Sequence, residues 1–173
     1  LVSFGKDDAK KIKTVMEEMK NKFPFITCLL YTVNTKMNDT IHDLDIHCYH
    51  GLPYIVEKLG NVKYKIGPKS FFQTNSEGAK ILFDYVVEFA DFKGHENVYD
   101  LYTGLGSIAL YIADKVKQVT GIEEVKEAID DANINCEFNG IQNATFYAGD
   151  VKDILNQDFI SKLYALKTSG QAP

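Results

Sequence analysis

The sequence predicts an α/β protein in two parts, a small α+β unit with an antiparallel sheet over residues 1–67 and a doubly wound parallel sheet over residues 68–173. Three observations predict it. From Pro68 onward, apolar runs of strand length alternate with helical periodicity, which implies right-handed crossovers and parallel pairing. Before Pro68, one amphipathic stretch is followed only by short strand-like runs. In the second part, an apolar strand ends in a glycine-rich loop that opens a helix, the arrangement found at the ligand-binding edge of doubly wound sheets.

Each element has its own signal. From Asp8 to Phe23, Ile12, Val15, Met16, Met19 and Phe23 recur at three- and four-residue steps, so the spacing predicts a helix with its lysines in solvent. Strands are predicted over Phe25–Val33 and Leu44–Tyr49, then Tyr54–Leu59 and Val62–Ile66 around the turn pair Gly60-Asn61, a hairpin signal. After Pro68 the pattern gives helix Glu77–Phe89, strand Asn97–Leu101, helix Ser107–Val116, strand Val119–Glu123, helix Val125–Phe138, strand Ala144–Tyr147 and helical residues from Asp153 to Leu166. Three strands of the parallel sheet are therefore present.

The chain has 173 residues, 45% hydrophobic and 25% charged, a balance that excludes disordered, collagen-like and low-complexity classes. No apolar run reaches the roughly 20 residues that a membrane helix requires, and Lys6, Asp7, Asp8, Lys10 and Lys11 rule out a signal-peptide layout, so a cytoplasmic protein without membrane contact is expected. Cys28, Cys48 and Cys136 are too few and too scattered for a disulfide framework or a zinc cluster. Residues 1–67 hold 10 Lys against 8 acids and residues 68–173 hold 9 Lys against 16, so the formal charge of -5 divides into +2 and -7. A polyanion would meet the first part. All 19 basic residues are lysine, so point charges replace the bidentate forks that arginine would offer phosphate.

The informative stretch is Val98-Tyr99-Asp100-Leu101-Tyr102-Thr103-Gly104-Leu105-Gly106-Ser107. Its glycines let backbone approach a ligand closely. Gly104 to Ala109 fits the dinucleotide form GxGxxA, and Glu123, 17 residues beyond Gly106, could hold a ribose, which would make this an NAD(P)-binding oxidoreductase domain. Asp100 argues otherwise, because a carboxylate ending the strand repels a pyrophosphate and suits the ammonium of a methionine moiety. Asp100, Gly104, Gly106, Glu123 and Asp150 follow in the order needed for the amine, carboxylate, ribose and adenine edge of S-adenosylmethionine.

Ser70-Phe71-Phe72-Gln73-Thr74-Asn75, followed at this distance by Asp100-Leu101-Tyr102-Thr103-Gly104-Leu105-Gly106, strongly resembles the RNA uracil-C5 methyltransferases, which make 5-methyluridine in ribosomal or transfer RNA. The resemblance runs from about Leu30 to Asp150 and includes Ile122-Glu123 and Asn139-Gly140-Ile141-Gln142-Asn143. It implies a class I methyltransferase, Rossmann-like sheet and S-adenosylmethionine as cofactor, contacted by Gln73, Tyr102, Ser107, Glu123 and Asp150, with Asp100 in an amine or loop-orienting role. It implies RNA as partner, ribosomal ahead of transfer, with Phe71 against the flipped target base, where an aromatic face replaces lost stacking. Thr103 stands where many members carry cysteine, and Ser107 where threonine or asparagine is common.

The resemblance also implies a reaction that this sequence does not complete. Such enzymes add a cysteine thiolate to uracil C6, so that C5 can attack a sulfonium methyl, and then remove the C5 proton. That cysteine lies in a Ser-Cys-Asn-Pro-type motif after the third strand, and an Asp-Pro-Pro-Arg-type motif follows the fourth; neither occurs before Pro173. The nucleophile and base are expected beyond residue 173, and the chain alone is expected to be inactive. Cys28, Cys48 and Cys136 read as buried structural thiols. His47 and His50 point to opposite faces of a strand, so no metal site is expected. The lysines of the first helix read as a solvated face. Two further expectations are an exposed apolar edge at Asn97–Leu101 that invites self-association and, as an alternative function, a non-catalytic RNA-binding module in residues 1–67.

Overall fold

The computed structural model describes residues 1–156 together with Asp158, Phe159 and Ser161. The chain forms two compact units, Leu1–Glu57 with Lys65–Ser70, and Lys58–Tyr64 with Phe71 onward. No helix among the described residues is long and apolar enough to cross a membrane.

In the first unit, strand β1 (Val2–Phe4) leads into helix α1 (Ala9–Lys22), followed by β2 (Cys28–Val33) and β3 (His47–Gly51). Asp8 caps α1 by accepting from the Lys11 amide, and Phe23 closes it. β2 pairs antiparallel with β3 through a bulge at Leu29/Leu30, whereas β1 pairs parallel with β2, Val2 opposite Tyr31 and Phe4 opposite Val33. The sheet is therefore mixed, with a parallel strand added to the antiparallel pairing the sequence suggested. Three residues are too few to show a period of two, which is why β1 leaves no sequence signal. Ile12, Met16 and Leu29 form the core, with Val2, Phe4, Met19 and Ile26 packed around them.

Strands β4 (Ile55–Leu59) and β5 (Val62–Ile66) form a two-stranded sheet joined by Gly60, at φ 57°, and Asn61. Residues 58–64 of this hairpin belong to the second unit.

The second unit continues with α2 (Ser76–Ala90), β6 (Asn97–Leu101), α3 (Ser107–Ile112), β7 (Gln118–Glu123), α4 (Lys126–Phe138), β8 (Ala144–Ala148) and the short α5 (Val151–Ile154). The three strands lie in the order β6-β7-β8, all parallel, with Asn97 opposite Gln118 and Val119 opposite Ala144. Val119 to Ile122 of the central strand are all buried, as expected for a parallel strand covered on both faces. Leu105, Ala109, Leu110, Ile112, Ile129, Ala132 and Phe146 fill the core around it.

Several boundaries differ from the sequence expectation. β2 begins at Cys28 rather than Phe25, β3 spans His47–Gly51 rather than Leu44–Tyr49, and most others move by a residue. Two differences in the second unit have visible causes. α3 stops at Ile112 and passes into a 3-10 turn over Ala113–Lys115. The Asn143 amide donates to the carbonyls of Ala113 (2.7 Å), the C-cap of α3, and of Val116 (3.1 Å), which follows the turn. The final helix begins at Val151, capped by Asp150, rather than at Asp153. Much of its expected extent, residues 157, 160 and 162–166, lies outside the described residues.

Candidate functional site

At the C-terminal end of β6 the chain makes a turn that ordinary residues resist. Tyr102 holds φ 62° while its side chain is 74% exposed, and Gly104 and Gly106 follow at φ 56° and 81°. Left-handed backbone at a bulky residue costs about 1–3 kcal/mol and persists where surrounding structure enforces it, commonly at functional sites. Buried Thr103 supplies part of that enforcement: its amide donates to the Ile122 carbonyl at 3.0 Å, and its own carbonyl accepts from the Gly106 amide at 2.9 Å.

Asp100 closes the loop. Its Oδ2 accepts from the Thr103 hydroxyl at 2.6 Å on one side and from the Ala109 amide in α3 at 3.1 Å on the other. Burial pushes this carboxyl above the usual range, and the two hydrogen bonds partly offset that rise. Because the folded value is raised, the associated stability is present below the unfolded value and is lost as pH rises through the folded one. Asp100→Asn keeps an acceptor for both donors without a buried charge. Its thermal unfolding should match or exceed the parent's at neutral pH, with the difference closing on acidification. Asp100→Ala leaves both donors unpaired and should lose about 1–3 kcal/mol in the same assay.

Glu123 ends β7 and joins two loops. Its Oε2 accepts from the Gly104 amide at 3.2 Å, and its Oε1 from the Val125 amide at 3.0 Å. Among the described residues no heavy atom lies within 4 Å of where a Cβ on Gly104 would stand, so the glycine borders open space. The opposite holds at Gly106, where a Cβ would come 3.0 Å from the Phe146 ring and 3.3 Å from Ala132 Cβ. One glycine borders open space and the other allows the helix packing, a division also found in nucleotide-binding loops.

The structure thus brings Asp100, Thr103, Gly104, Gly106, Ser107 and Glu123 together at one end of the sheet. Asp150 follows β8, accepts from the Lys152 amide at 3.0 Å and pairs with the Lys152 ammonium at 2.7 Å, which holds its carboxyl below the usual range. Phe71, 79% exposed, and exposed Gln73 lie in the segment between β5 and α2, on either side of half-buried Phe72. Gly121 and Phe146 complete the support without any role in the motif-based reading. The available signal for Gly121 was a lone glycine inside an apolar strand.

Elsewhere, the cysteines differ in setting. Cys136 is buried and Cys28 half-buried, and burial raises both thiols. Cys48 is exposed, contrary to the expectation of a buried thiol, because it lies on the outer strand of the first unit's sheet. His47 and His50 are exposed on that strand. Among the described residues no group of three or more His, Cys, Asp or Glu is placed to hold a metal.

A parallel sheet whose first strand ends in a glycine loop, with an acid at the end of the second, is common to dinucleotide-binding domains and class I methyltransferases, and the likenesses to known proteins place this chain with the methyltransferases. The chain belongs to the tRNA (uracil-5-)-methyltransferase family, whose model matches residues 53–153. It is 51% identical over 150 residues to an uncharacterized RNA methyltransferase of Bacteroides thetaiotaomicron, covering 87% of this chain and 33% of the relative. Against the uncharacterized RNA methyltransferase of Porphyromonas gingivalis it is 50% identical over 162 residues, 94% of this chain and 35% of the relative. The chain therefore spans about a third of the length of these relatives. Among solved structures, the Pyrococcus abyssi tRNA (uracil-54, C5)-methyltransferase in complex with S-adenosyl-L-homocysteine superposes with a TM-score of 0.62 at 31% identity, covering 72% of this chain and 30% of that one.

Proposed function

We propose that this chain carries the S-adenosylmethionine site of an RNA uracil-C5 methyltransferase. The observation that carries the reading is the Glu123 carboxylate on the Gly104 amide, an acid and a glycine loop joined beside open space. The residues fit the cofactor: Glu123 for the ribose hydroxyls, the Gly104–Gly106 backbone for the carboxylate, Asp150 for the adenine edge, and Gln73, Tyr102 and Ser107 around it. Asp100 serves by orienting the loop, since both its bonds on Oδ2 go to the loop and to α3. The cofactor, when bound, supplies a methyl group on a sulfonium centre.

The substrate is a uridine in RNA, with Phe71 stacked on the flipped base; its exposure leaves a ring face available. The thiolate that adds to C6 comes from a cysteine beyond residue 173. Burial disfavours the thiolates of Cys28 and Cys136, which supports this for two of the three cysteines; for exposed Cys48, methyl transfer by the full-length enzyme should survive Cys48→Ala. Ribosomal RNA is the first substrate to test and transfer RNA the second, in the cytoplasm. Residues 1–67 are the substrate-facing part of a central domain, and residues 68–173 the first half of the cofactor domain.

Isothermal calorimetry with S-adenosylhomocysteine, and with NAD in parallel, tests the reading. Saturable binding of the first and none of the second supports it; binding of NAD alone overturns it in favour of an oxidoreductase. The chain is also proposed to self-associate through β6, which pairs only with β7 among the described residues and exposes Leu101. Light scattering should show mass rising with concentration, and a clean monomer at high concentration would refute the pairing.

A further inference from the structure

The tip of the β4–β5 hairpin is fastened to the cofactor layer at three points within the second unit. Asn139, at the end of α4, accepts from the Lys63 amide at 2.9 Å and donates to the Lys63 carbonyl at 2.7 Å, so its side chain pairs with strand backbone as another strand would. Gly60 lies against the Tyr111 ring, where a Cβ would come within 3.0 Å of it. The third point is Tyr64, fully buried, whose hydroxyl donates to the Ser107 carbonyl at 2.8 Å.

Tyr64 differs from the other two in what it reaches. Ser107 is the first residue of α3, directly after the glycine loop. The opposite contact of Tyr64 is Phe72, whose ring centre lies 5.4 Å away at a tilt of 46°. Phe72 is the half-buried member of a segment whose neighbours Phe71 and Gln73 are exposed, and its ring contact with Tyr64 anchors that segment. One buried side chain therefore touches both the start of α3 and the anchor of the Phe71–Gln73 segment, positions 35 residues apart in sequence when measured from Phe72 to Ser107.

We propose that Tyr64 is a positioning residue, which couples the segment presenting Phe71 and Gln73 to the loop end of α3, and so sets cofactor affinity without touching cofactor. This rests on the cofactor site assigned above. A ring at this position could fill the core without a hydroxyl, so the hydroxyl is the part that the fold alone does not require.

Tyr64→Phe separates the two roles, because it keeps the ring and removes only the bond to Ser107. In the ligand-free chain, backbone amide NMR signals of Ser107–Ala109 and of Phe71–Gln73 should both shift. Affinity for S-adenosylhomocysteine should fall about threefold to tenfold, the size of one buried hydrogen bond. Asn139→Ala is the control for mere loosening of the hairpin; it should lower the melting temperature at least as much while leaving affinity closer to the parent's. Unmoved Phe71–Gln73 signals in Tyr64→Phe overturn the coupling, whatever the ligand does. An affinity loss in Tyr64→Phe no larger than that of Asn139→Ala overturns the role in affinity. If the parent chain itself binds no S-adenosylhomocysteine, the site assignment fails instead, and the amide signals still decide the coupling.

Discussion

Glu123→Ala leaves the chain folded and weakens S-adenosylhomocysteine binding by about tenfold to a hundredfold, the effect expected when a charged hydrogen-bond acceptor is removed. The carboxylate has two tasks. It holds the Gly104 and Val125 amides, and in the proposed site it accepts from the ribose hydroxyls. Removing it releases the loop amide and takes away the acceptor for paired hydroxyls. The residue is half-buried at the rim, so water can satisfy the freed amides and the fold survives. Calorimetry reports the affinity, and circular dichroism melts report the fold. Glu123→Gln should fall between the two, since it retains an acceptor for one amide and loses the charge. Equal affinity in Glu123→Ala and the parent would mean that the ribose lies elsewhere.

Gly121→Ala should cost the parallel sheet a large share of its stability. Gly121 lies mid-strand in β7, paired with Asp100 on one side and Phe146 on the other. A Cβ there would stand 2.5 Å from Phe146 Cδ1 and 2.9 Å from Thr103 Cγ2. Neither neighbour can yield freely. Phe146 also packs where a Gly106 side chain would begin, and Thr103 is bonded to Asp100 through its hydroxyl. Overpacking of this kind costs about 1–3 kcal/mol, and here the strain passes directly into the glycine loop. The variant should therefore lose ligand affinity along with stability, and Gly121→Ala combined with Phe146→Leu should recover part of both. A Gly121→Ala chain that melts with the parent would show that Phe146 has room that the static packing denies.

The parallel sheet was legible because its signals are local and redundant. Asn97–Leu101 carries strand residues bounded by glycine and polar turns, and helix α4 carries apolar positions at the right period, so the strand matches at both ends and the helix to within one residue at its start. Elements that depend on distant partners were not legible. β1 is too short to show alternation and exists because β2 offers it an edge. The end of α3 is met by a residue 30 positions further on, Asn143, whose side-chain amide donates to the carbonyl of Ala113, just past the helix. In the candidate site, the motif places Asp100 and Glu123 at strand ends, but only coordinates show that Asp100 spends its acceptor oxygen on Thr103 and Ala109. Tyr64 reads as one inward residue in the alternation Val62, Tyr64, Ile66, and nothing local says that its hydroxyl reaches Ser107, 43 residues away.

The central claim is that the loop from Tyr102 to Ser107, with Glu123 and Asp150, forms one cofactor site. Titration of the isotope-labelled chain with S-adenosylhomocysteine, followed by backbone amide NMR, tests it most directly. The account predicts saturable shifts concentrated at Gly104, Gly106, Ser107, Glu123 and Asp150, with His47 and His50 in the first unit unmoved. Shifts centred elsewhere, or none at saturating ligand, would contradict it.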